Sequence, residues 1–216
     1  MSIYLDSAII AEAQAAQKLG WVKGITTNPT LLAKSDLPVE TALKQLAQLT
    51  TGPVFYQLMS SDFDEMLAEG RAAFEIIGKQ TVLKIPASLV GFQVVAALAG
   101  EISCAVTGIY HASQAAVARE AGAKYAIAYV NRATKLLGDG AALVQQMASV
   151  VAGSSTEIMA ASIKSPEEAV ASLQAGANHL TLPLGMLQAM TTHELSLQTI
   201  DEFAKNGRGI WISCKL

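Results

Sequence analysis

The segment TVLKIP, Thr81–Pro86, has the composition of a buried β-strand except for the lysine at its fourth position. Lysine is among the residue types least often fully buried in proteins, so Lys84 between Leu83 and Ile85 needs an explanation. One interpretation is structural: the aliphatic stem is buried at a strand end and the ammonium group reaches water. The alternative is that the amine has a chemical role. The rest of the sequence bears on which interpretation applies.

Similar short apolar segments recur along the chain, each followed by polar residues and then by an amphipathic stretch. The strand candidates are IYLD at 3–6, VKGITT at 22–27, VFYQLM at 54–59, TVLKIP at 81–86, ISCAVT at 102–107, YAIAYV at 125–130, EIMAAS at 157–162 and HLTLP at 179–183. Strands that alternate with helices are typical of a parallel sheet. We therefore predict an α/β fold with eight parallel strands.

The segments between these strands carry helix signals. One face of segment 38–50 collects its apolar residues, Val39, Leu43, Leu46 and Leu49. Two further helices are predicted to begin with capping-box patterns, Asp62 with Glu65 and Ser165 with Glu168. Helix ends are predicted at three glycines, Gly20, Gly122 and Gly176.

The length and the first turn favour closure of the sheet into a barrel. A chain of 216 residues suits one (β/α)8 TIM barrel. An open sheet that binds a nucleotide would show GxGxxG or GxxxxGK[ST] after its first strand, whereas the turn here reads LDSAII without glycine. We predict a single (β/α)8 barrel domain over residues 1–216, with a C-terminal helix and tail from about residue 196.

Composition excludes several classes of protein. Hydrophobic residues make up 51% of the chain, which supports a large core, and the net charge of −3 does not indicate a nucleic-acid partner. No apolar segment reaches the roughly 18 residues of a membrane span, and the start MSIYLDSAII lacks a basic leader region. Cys104 and Cys214 have neither CxxC nor metal-ligand spacing. We expect a cytoplasmic protein with no nucleic-acid or membrane partner.

Polar residues stand at the carboxyl ends of the predicted strands, where barrel enzymes carry their active sites. In chain order they are Asp6, Thr26, Thr27, Asn28, Gln57, Lys84, Thr107, Tyr129, Asn131, Arg132 and Ser162. Single members have structural alternatives, since Asp6 also suits a helix N-cap and Asn28 a turn. Their recurrence at successive strand ends favours one common site.

The chemistry of such a site follows from its residue types. The chain has no HExxH motif and no histidine at a strand end, so a metal centre or a serine–histidine triad is poorly supported. A lysine in apolar surroundings has a lowered pKa, and its neutral amine forms Schiff bases with carbonyls. Tyr129 is placed to move protons, and Arg132 with Ser162 to hold a phosphate or another anion. The residues indicate imine chemistry on a carbonyl substrate.

Several segments resemble those of the transaldolase family, and specifically its small single-barrel branch, which includes fructose-6-phosphate aldolase. They are YLDSA at 4–8, GITTNPTLLA at 24–33, VLKIP at 82–86, AYVNR at 128–132 and AASIKSPEEA at 160–169. The resemblance runs in order from Ile3 to about Met190. It implies a barrel enzyme that acts on a small sugar phosphate or hydroxyketone without a cofactor or metal, as a homo-oligomer that is often decameric.

The resemblance also implies catalytic roles. Lys84 matches the Schiff-base lysine, and Asp6 the aspartate that binds substrate hydroxyls and assists proton transfer. Thr107 matches a threonine that helps to hold the catalytic water. Aldolases of the family resemble one another in having a glutamine and a tyrosine where transaldolases have a glutamate and usually a phenylalanine. Gln57 and Tyr129 therefore imply an aldolase.

Substrate-binding residues are expected from the same comparison. Asn28 matches a residue that contacts the bound ketose, and Arg132 and Ser162 match the phosphate-binding pair. Thr26 and Asn131, which stand at strand ends, complete the expected set. A transaldolase that transfers a dihydroxyacetone unit, and a non-catalytic sugar-phosphate-binding barrel, remain as alternatives to a lyase that cleaves or forms fructose 6-phosphate or a similar ketose.

Overall fold

Eight parallel strands close into a barrel in chain order, which confirms the predicted fold. The computed structural model describes residues 1–210. The strands are β1 (Ser2–Asp6), β2 (Ile25–Thr26), β3 (Val54–Gln57), β4 (Thr81–Pro86), β5 (Ser103–Ile109), β6 (Tyr125–Tyr129), β7 (Glu157–Ala161) and β8 (His179–Leu182). Each strand pairs with the next, and β8 pairs with β1 to close the sheet.

Helices follow the strands and cover the outside of the barrel. They are α1 (Ile10–Lys18), α2 (Pro29–Leu32), α3 (Val39–Gln48), α4 (Phe63–Ile77), α5 (Leu89–Leu98), α6 (Ala112–Glu120), α7 (Val130–Leu137), α8 (Gly140–Val151), α9 (Pro166–Gln174), α10 (Leu184–Ala189) and α11 (Glu194–Asn206). A short 3-10 helix, Gly78–Gln80, joins α4 to β4.

Strand β4 keeps its predicted bounds, β1, β6, β7 and β8 differ from theirs by one residue, and β2, β3 and β5 differ by more. Strand β3 ends at Gln57 instead of residue 59. Strand β2 is shorter than the segment 22–27, and the chain before it passes very close to the loop that leads into β3. A Cβ on Gly24 would lie 2.4 Å from the Pro53 carbonyl oxygen, so only glycine fits there. Strand β5 is longer than predicted, and its pairing with β6 shifts between Val106 and Ile109, where Gly108 has a φ of +73°.

The predicted helix ends are largely confirmed. Asp62 and Ser165 cap α4 and α9, and their side chains accept hydrogen bonds from the Glu65 and Glu168 amides at 3.0 and 3.2 Å. The reciprocal half of each box is not formed, because the Glu65 and Glu168 carboxylates bind other partners. The predicted glycines all have positive φ at the ends of their helices: Gly20, Gly122 and Gly176.

Side chains of the strands alternate between two cores. Those that face outward, such as Leu83 and Ile85, pack against the helices. Those that face inward fill the barrel: Tyr4, Phe55, Val82, Ala105, Tyr125, Ile127, Met159 and Ala161. Toward the N-terminal ends of the strands, aromatic rings lie with centroids 5.2–5.6 Å apart. We call this layer the aromatic floor; it consists of Tyr4, Phe55, Tyr125 and His179.

The predicted C-terminal helix is α11, and all of its residues are exposed. Its larger apolar side chains are Leu195, Leu197, Ile200 and Phe203. The tail at 211–216, which includes Cys214, lies outside the described residues. Assembly of the chain into a homo-oligomer stays a prediction. Within residues 1–210, no helix combines the length and the apolar character needed to cross a membrane.

Candidate active site

A cavity of about 480 Å³ opens among the carboxyl ends of the strands. We call it the barrel cavity. Of the polar residues expected at the strand ends, all but Thr27 and Asn131 line it: Asp6, Thr26, Asn28, Gln57, Lys84, Thr107, Tyr129, Arg132 and Ser162. The sequence did not indicate several further polar or loop residues in the lining, namely Thr30, Gly108, Lys164 and Thr181. The polar residues at the carboxyl ends of the strands thus meet at one end of the barrel, as expected for parallel strands in a closed barrel.

Lys84 lies inside the barrel because strand residues alternate in direction. Leu83 and Ile85 face the helices, so the lysine between them faces the cavity. Its exposed fraction is 4%, and its Nζ donates to the Thr27 carbonyl oxygen at 2.7 Å. No carboxylate of residues 1–210 lies within ion-pair distance of the amine. The amine is therefore enclosed, which excludes the interpretation that it reaches bulk water.

The surroundings of Lys84 favour its neutral form. Burial lowers the pKa of the amine, and the negative charge of Asp6 acts in the opposite direction without cancelling the effect. A neutral amine carries a free lone pair, and that lone pair is what attacks a carbonyl carbon. The lowered pKa of Lys84 thus favours the form of the amine that imine chemistry requires.

The lowered pKa of Lys84 predicts a pH dependence of stability. Between that lowered pKa and 10.5, the unfolded chain binds more protons at residue 84 than the folded protein does. The free energy of unfolding of the wild type, minus that of Lys84→Met, is therefore expected to rise as pH rises through this window. Urea unfolding of both proteins at a series of pH values measures the difference. A difference that stays constant with pH would contradict the lowered pKa, and exposed Lys79→Met is the matched control.

Tyr129 and Thr107 form a second pair in the cavity. The Thr107 hydroxyl donates to the Tyr129 phenolic oxygen at 2.9 Å, so the phenolic hydrogen is left for a partner in the cavity. Burial raises the pKa of Tyr129, while the hydrogen bond from Thr107 and the charge of Arg132 oppose the rise. The Arg132 guanidinium carbon lies 5.1 Å from the centre of the tyrosine ring. At neutral pH the residue is a phenol that can donate a proton.

Two threonine hydroxyls orient the Asp6 carboxylate. The Thr26 hydroxyl donates to Asp6 Oδ1 at 2.8 Å and lies 2.5 Å from the Thr181 hydroxyl. Because the Thr26 proton points to the carboxylate, Thr181 is the donor to Thr26. Asp6 is therefore held in place by a chain of hydrogen bonds that begins on β8.

Gln57 lies next to Lys84 in the strand register of β3 and β4. Its amide oxygen is buried and accepts no hydrogen bond from the described residues. Buried acceptors are nearly always satisfied, so Gln57, a cavity-lining residue whose oxygen has no hydrogen-bond partner among the described residues, stands out from the other polar residues of the site.

The outer rim of the cavity carries cationic and hydroxyl groups. We call Arg132, Ser162 and Lys164 the mouth cluster; all three line the cavity. Neither Arg132 nor Lys164 forms an ion pair within residues 1–210. Ser162 has a φ of +60°, the only positive value outside glycine in the described chain. Such a backbone is sparsely populated and is typical of functional positions.

The two predicted asparagines have different positions. Asn28 lines the cavity and also caps α2, since its Oδ1 accepts from the Leu31 amide at 3.0 Å. Asn131 is not part of the lining; its side-chain amide donates to Glu168 Oε1 at 2.7 Å. The structure therefore brings Asn131 to the loop that carries Ser162 and not to the cavity wall.

Histidine, cysteine, aspartate and glutamate, the usual ligands of metal ions, are spread along residues 1–210. No group of three or more histidine, cysteine, aspartate or glutamate side chains lies there in an arrangement that could hold an ion. Cys104 is buried, and burial raises the pKa of its thiol to about 12.

Comparisons with known proteins agree with this geometry. The model of the family described as Transaldolase/Fructose-6-phosphate aldolase matches residues 3–210. A "Probable transaldolase" of Sorangium cellulosum is 34% identical over 213 residues, covering 97% of this chain and 98% of that protein. A "Probable transaldolase" of a Hydrogenobaculum strain is 36% identical over 209 residues, covering 95% and 96%.

Solved structures show similarity of fold alone. A crystal structure of mandelate oxidase superposes with a TM-score of 0.62 at 18% identity, covering 93% of this chain and 71% of that one. An inosine 5′-monophosphate dehydrogenase from Legionella pneumophila gives a TM-score of 0.57 at 14% identity, covering 81% and 54%.

Proposed function

Since the chain belongs to the transaldolase and fructose-6-phosphate aldolase family, we propose that it is a class I aldolase that cleaves or forms fructose 6-phosphate or a similar ketose. The observation that carries the proposal is the enclosed amine of Lys84, which lies in the barrel cavity without a carboxylate partner. An amine of this kind forms a covalent imine with a ketone. The three-carbon product of cleavage is dihydroxyacetone, and the other product is glyceraldehyde 3-phosphate.

Imine formation uses Lys84 and Tyr129 together. The amine adds to the C2 carbonyl of the ketose, and a proton moves from nitrogen to oxygen to give a neutral carbinolamine. Tyr129 then donates its phenolic proton to the departing C2 hydroxyl, which leaves as water. The products of this step are a cationic iminium on Lys84 and a tyrosinate beside it, and their opposite charges stabilise each other.

Carbon–carbon cleavage restores the phenol. The tyrosinate takes the proton of the C4 hydroxyl, the C3–C4 bond breaks, and its electron pair neutralises the iminium to give an enamine. The aldehyde leaves. Tyr129 next protonates C3 of the enamine, and water adds to the new iminium with loss of a proton to Tyr129. Collapse of the carbinolamine releases dihydroxyacetone and the free amine, so protons and electrons balance over the cycle.

The remaining cavity residues hold the substrate. The Asp6 carboxylate, oriented by Thr26, binds substrate hydroxyls. Asn28, which follows β2 and lines the same cavity, contacts the ketose. Gln57 and Thr107, which both line the cavity, hold the water that hydrolyses the iminium. The mouth cluster, with its two free cations, binds the phosphate group.

Two residues favour cleavage over transfer. Gln57 is a neutral amide that does not donate a catalytic proton as a carboxylic acid does, and Tyr129 supplies a phenol in contact with Thr107. A phenol beside the enamine favours its protonation and the release of dihydroxyacetone. The second candidate is a transaldolase, which keeps the enamine until an acceptor aldehyde enters; it is favoured by the relatives, which are named probable transaldolases.

An assay without acceptor separates the two activities. With fructose 6-phosphate alone, the proposed aldolase is expected to release glyceraldehyde 3-phosphate over many turnovers, measured with a coupled dehydrogenase. Strict dependence on added erythrose 4-phosphate would contradict the lyase and support the transferase. Reduction with borohydride in the presence of dihydroxyacetone is expected to attach one three-carbon unit to Lys84, which peptide mass analysis detects. Failure to form that adduct would contradict both activities.

A further inference from the structure

One carboxylate connects the two segments that carry the mouth cluster. Glu168 Oε1 accepts from the Asn131 side-chain amide at 2.7 Å, and Glu168 Oε2 accepts from the Lys164 backbone amide at 2.7 Å. The Asn131 backbone amide donates to the Ser162 carbonyl oxygen at 3.2 Å. These contacts form a closed set between the start of α7 and the loop that follows β7. We call them the Glu168 brace.

This arrangement replaces a common helix-capping contact. A glutamate at the third position of a helix that begins with serine usually returns to the backbone amide of that serine. Here Ser165 caps α9 with its own hydroxyl, but the Glu168 carboxylate reaches outward to another strand end. Its negative charge still lies at the positive end of the α9 dipole. Simple helix capping therefore does not explain where the carboxylate points.

The groups that the brace connects lie in or next to the residues of the mouth cluster. Asn131 precedes Arg132 in the chain, and the braced amide and carbonyl belong to Lys164 and Ser162. Ser162 has a positive φ, a backbone state that persists only where its surroundings fix it. The brace thus holds the backbone that carries Arg132 beside the backbone that carries Ser162 and Lys164.

We propose that Glu168 is a positioning residue for phosphate recognition, and that Asn131 acts through it. The inference rests on the proposed function, in which the mouth cluster binds the phosphate of the sugar. Glu168 itself does not touch the phosphate, since both of its oxygens accept hydrogen bonds from the protein. A held pair of binding groups loses less entropy on binding than a mobile pair does, so the brace increases affinity for phosphorylated substrates.

The test compares phosphorylated and unphosphorylated substrates. In Glu168→Ala and Glu168→Gln, the KM for fructose 6-phosphate is expected to rise roughly tenfold, as for other residues that orient a ligand-binding side chain. The kcat/KM for the unphosphorylated ketose fructose is expected to change less than about twofold. The neighbouring exposed glutamate gives the matched control, and Glu167→Gln should match the wild type with both substrates.

A double variant tests whether the two residues act together. Because Glu168→Ala already removes the contact with Asn131, adding Asn131→Ala to Glu168→Ala should not raise the KM for fructose 6-phosphate further. Full additivity of the two effects would overturn the joint role. A wild-type KM for fructose 6-phosphate in both Glu168 variants would overturn the proposal. An equal loss of kcat/KM with fructose 6-phosphate and with fructose would also overturn it, and would indicate that Glu168 has a role in the folding of α9.

Failure of the brace and failure of the proposed function are distinguishable. If the wild type forms no borohydride adduct on Lys84, the aldolase proposal fails. Binding of inorganic phosphate, measured by calorimetry on the wild type and Glu168→Ala, then still tests the brace. A roughly tenfold weaker affinity in the variant supports it, and equal affinity overturns it.

Discussion

Lys84→Met is expected to abolish turnover, with a loss of at least about 10⁴-fold in kcat, because Lys84 is the enclosed amine of the cavity, whereas Lys164, the other lysine of its lining, is exposed to solvent. The adduct with dihydroxyacetone and borohydride should be lost as well. Activity with fructose 6-phosphate and peptide mass analysis measure the two effects. The exposed residue Lys79 gives the matched control, since Lys79→Met removes an amine of the same kind from the surface.

The same variant is expected to remain folded. Methionine has a similar length and no polar group that needs a partner in the enclosed position. The Thr27 carbonyl loses its donor, which costs about 1 kcal/mol, but the penalty of burying the amine disappears as well. Circular dichroism and thermal unfolding check the fold. A variant that fails to fold would indicate a structural lysine, and turnover that survives the change would exclude imine chemistry at residue 84.

Tyr129→Phe is expected to slow cleavage by about 10²- to 10⁴-fold, the usual range for loss of a general acid–base group. The change keeps the ring that packs beside Arg132 and removes the hydroxyl that Thr107 contacts. Tyr56→Phe is the matched control, because the Tyr56 hydroxyl binds Glu69 at 2.7 Å and does not line the cavity. Cleavage at the wild-type rate in Tyr129→Phe, measured at saturating fructose 6-phosphate, would contradict the proton-transfer role.

Much of the fold could be predicted because its signals are local. Each strand is a short apolar segment between turn residues, and caps such as Asp62 and Ser165 mark helix starts within a few positions. The closeness of Asp6, Gln57, Lys84 and Tyr129 also follows, since the carboxyl ends of parallel strands meet at one end of a barrel. The bounds of β2 were wrong, and no local signal shows that Gly24 lies against Pro53, which is distant from it in sequence.

The unpredicted parts of the site depend on contacts between distant segments. Asn131 and Glu168 are 37 positions apart, and nothing local shows that an asparagine after a strand binds a glutamate on a later helix. Lys164 lines the cavity only because the loop after β7 turns at Ser162, whose positive φ no sequence pattern announces. Thr181 lies within β8, and its direction becomes clear only when β8 pairs with β1.

The aromatic floor closes one end of the barrel interior. Its rings fill the interior below Lys84, so substrate and products reach and leave the amine through the cavity opening at the carboxyl ends of the strands. In the proposed reaction the aldehyde half must depart while the three-carbon half is still covalently attached behind it. Kinetically this is a compulsory sequence, aldehyde first and dihydroxyacetone last. Run backward, the enzyme must load dihydroxyacetone before any aldehyde, and an aldehyde that enters early blocks the way.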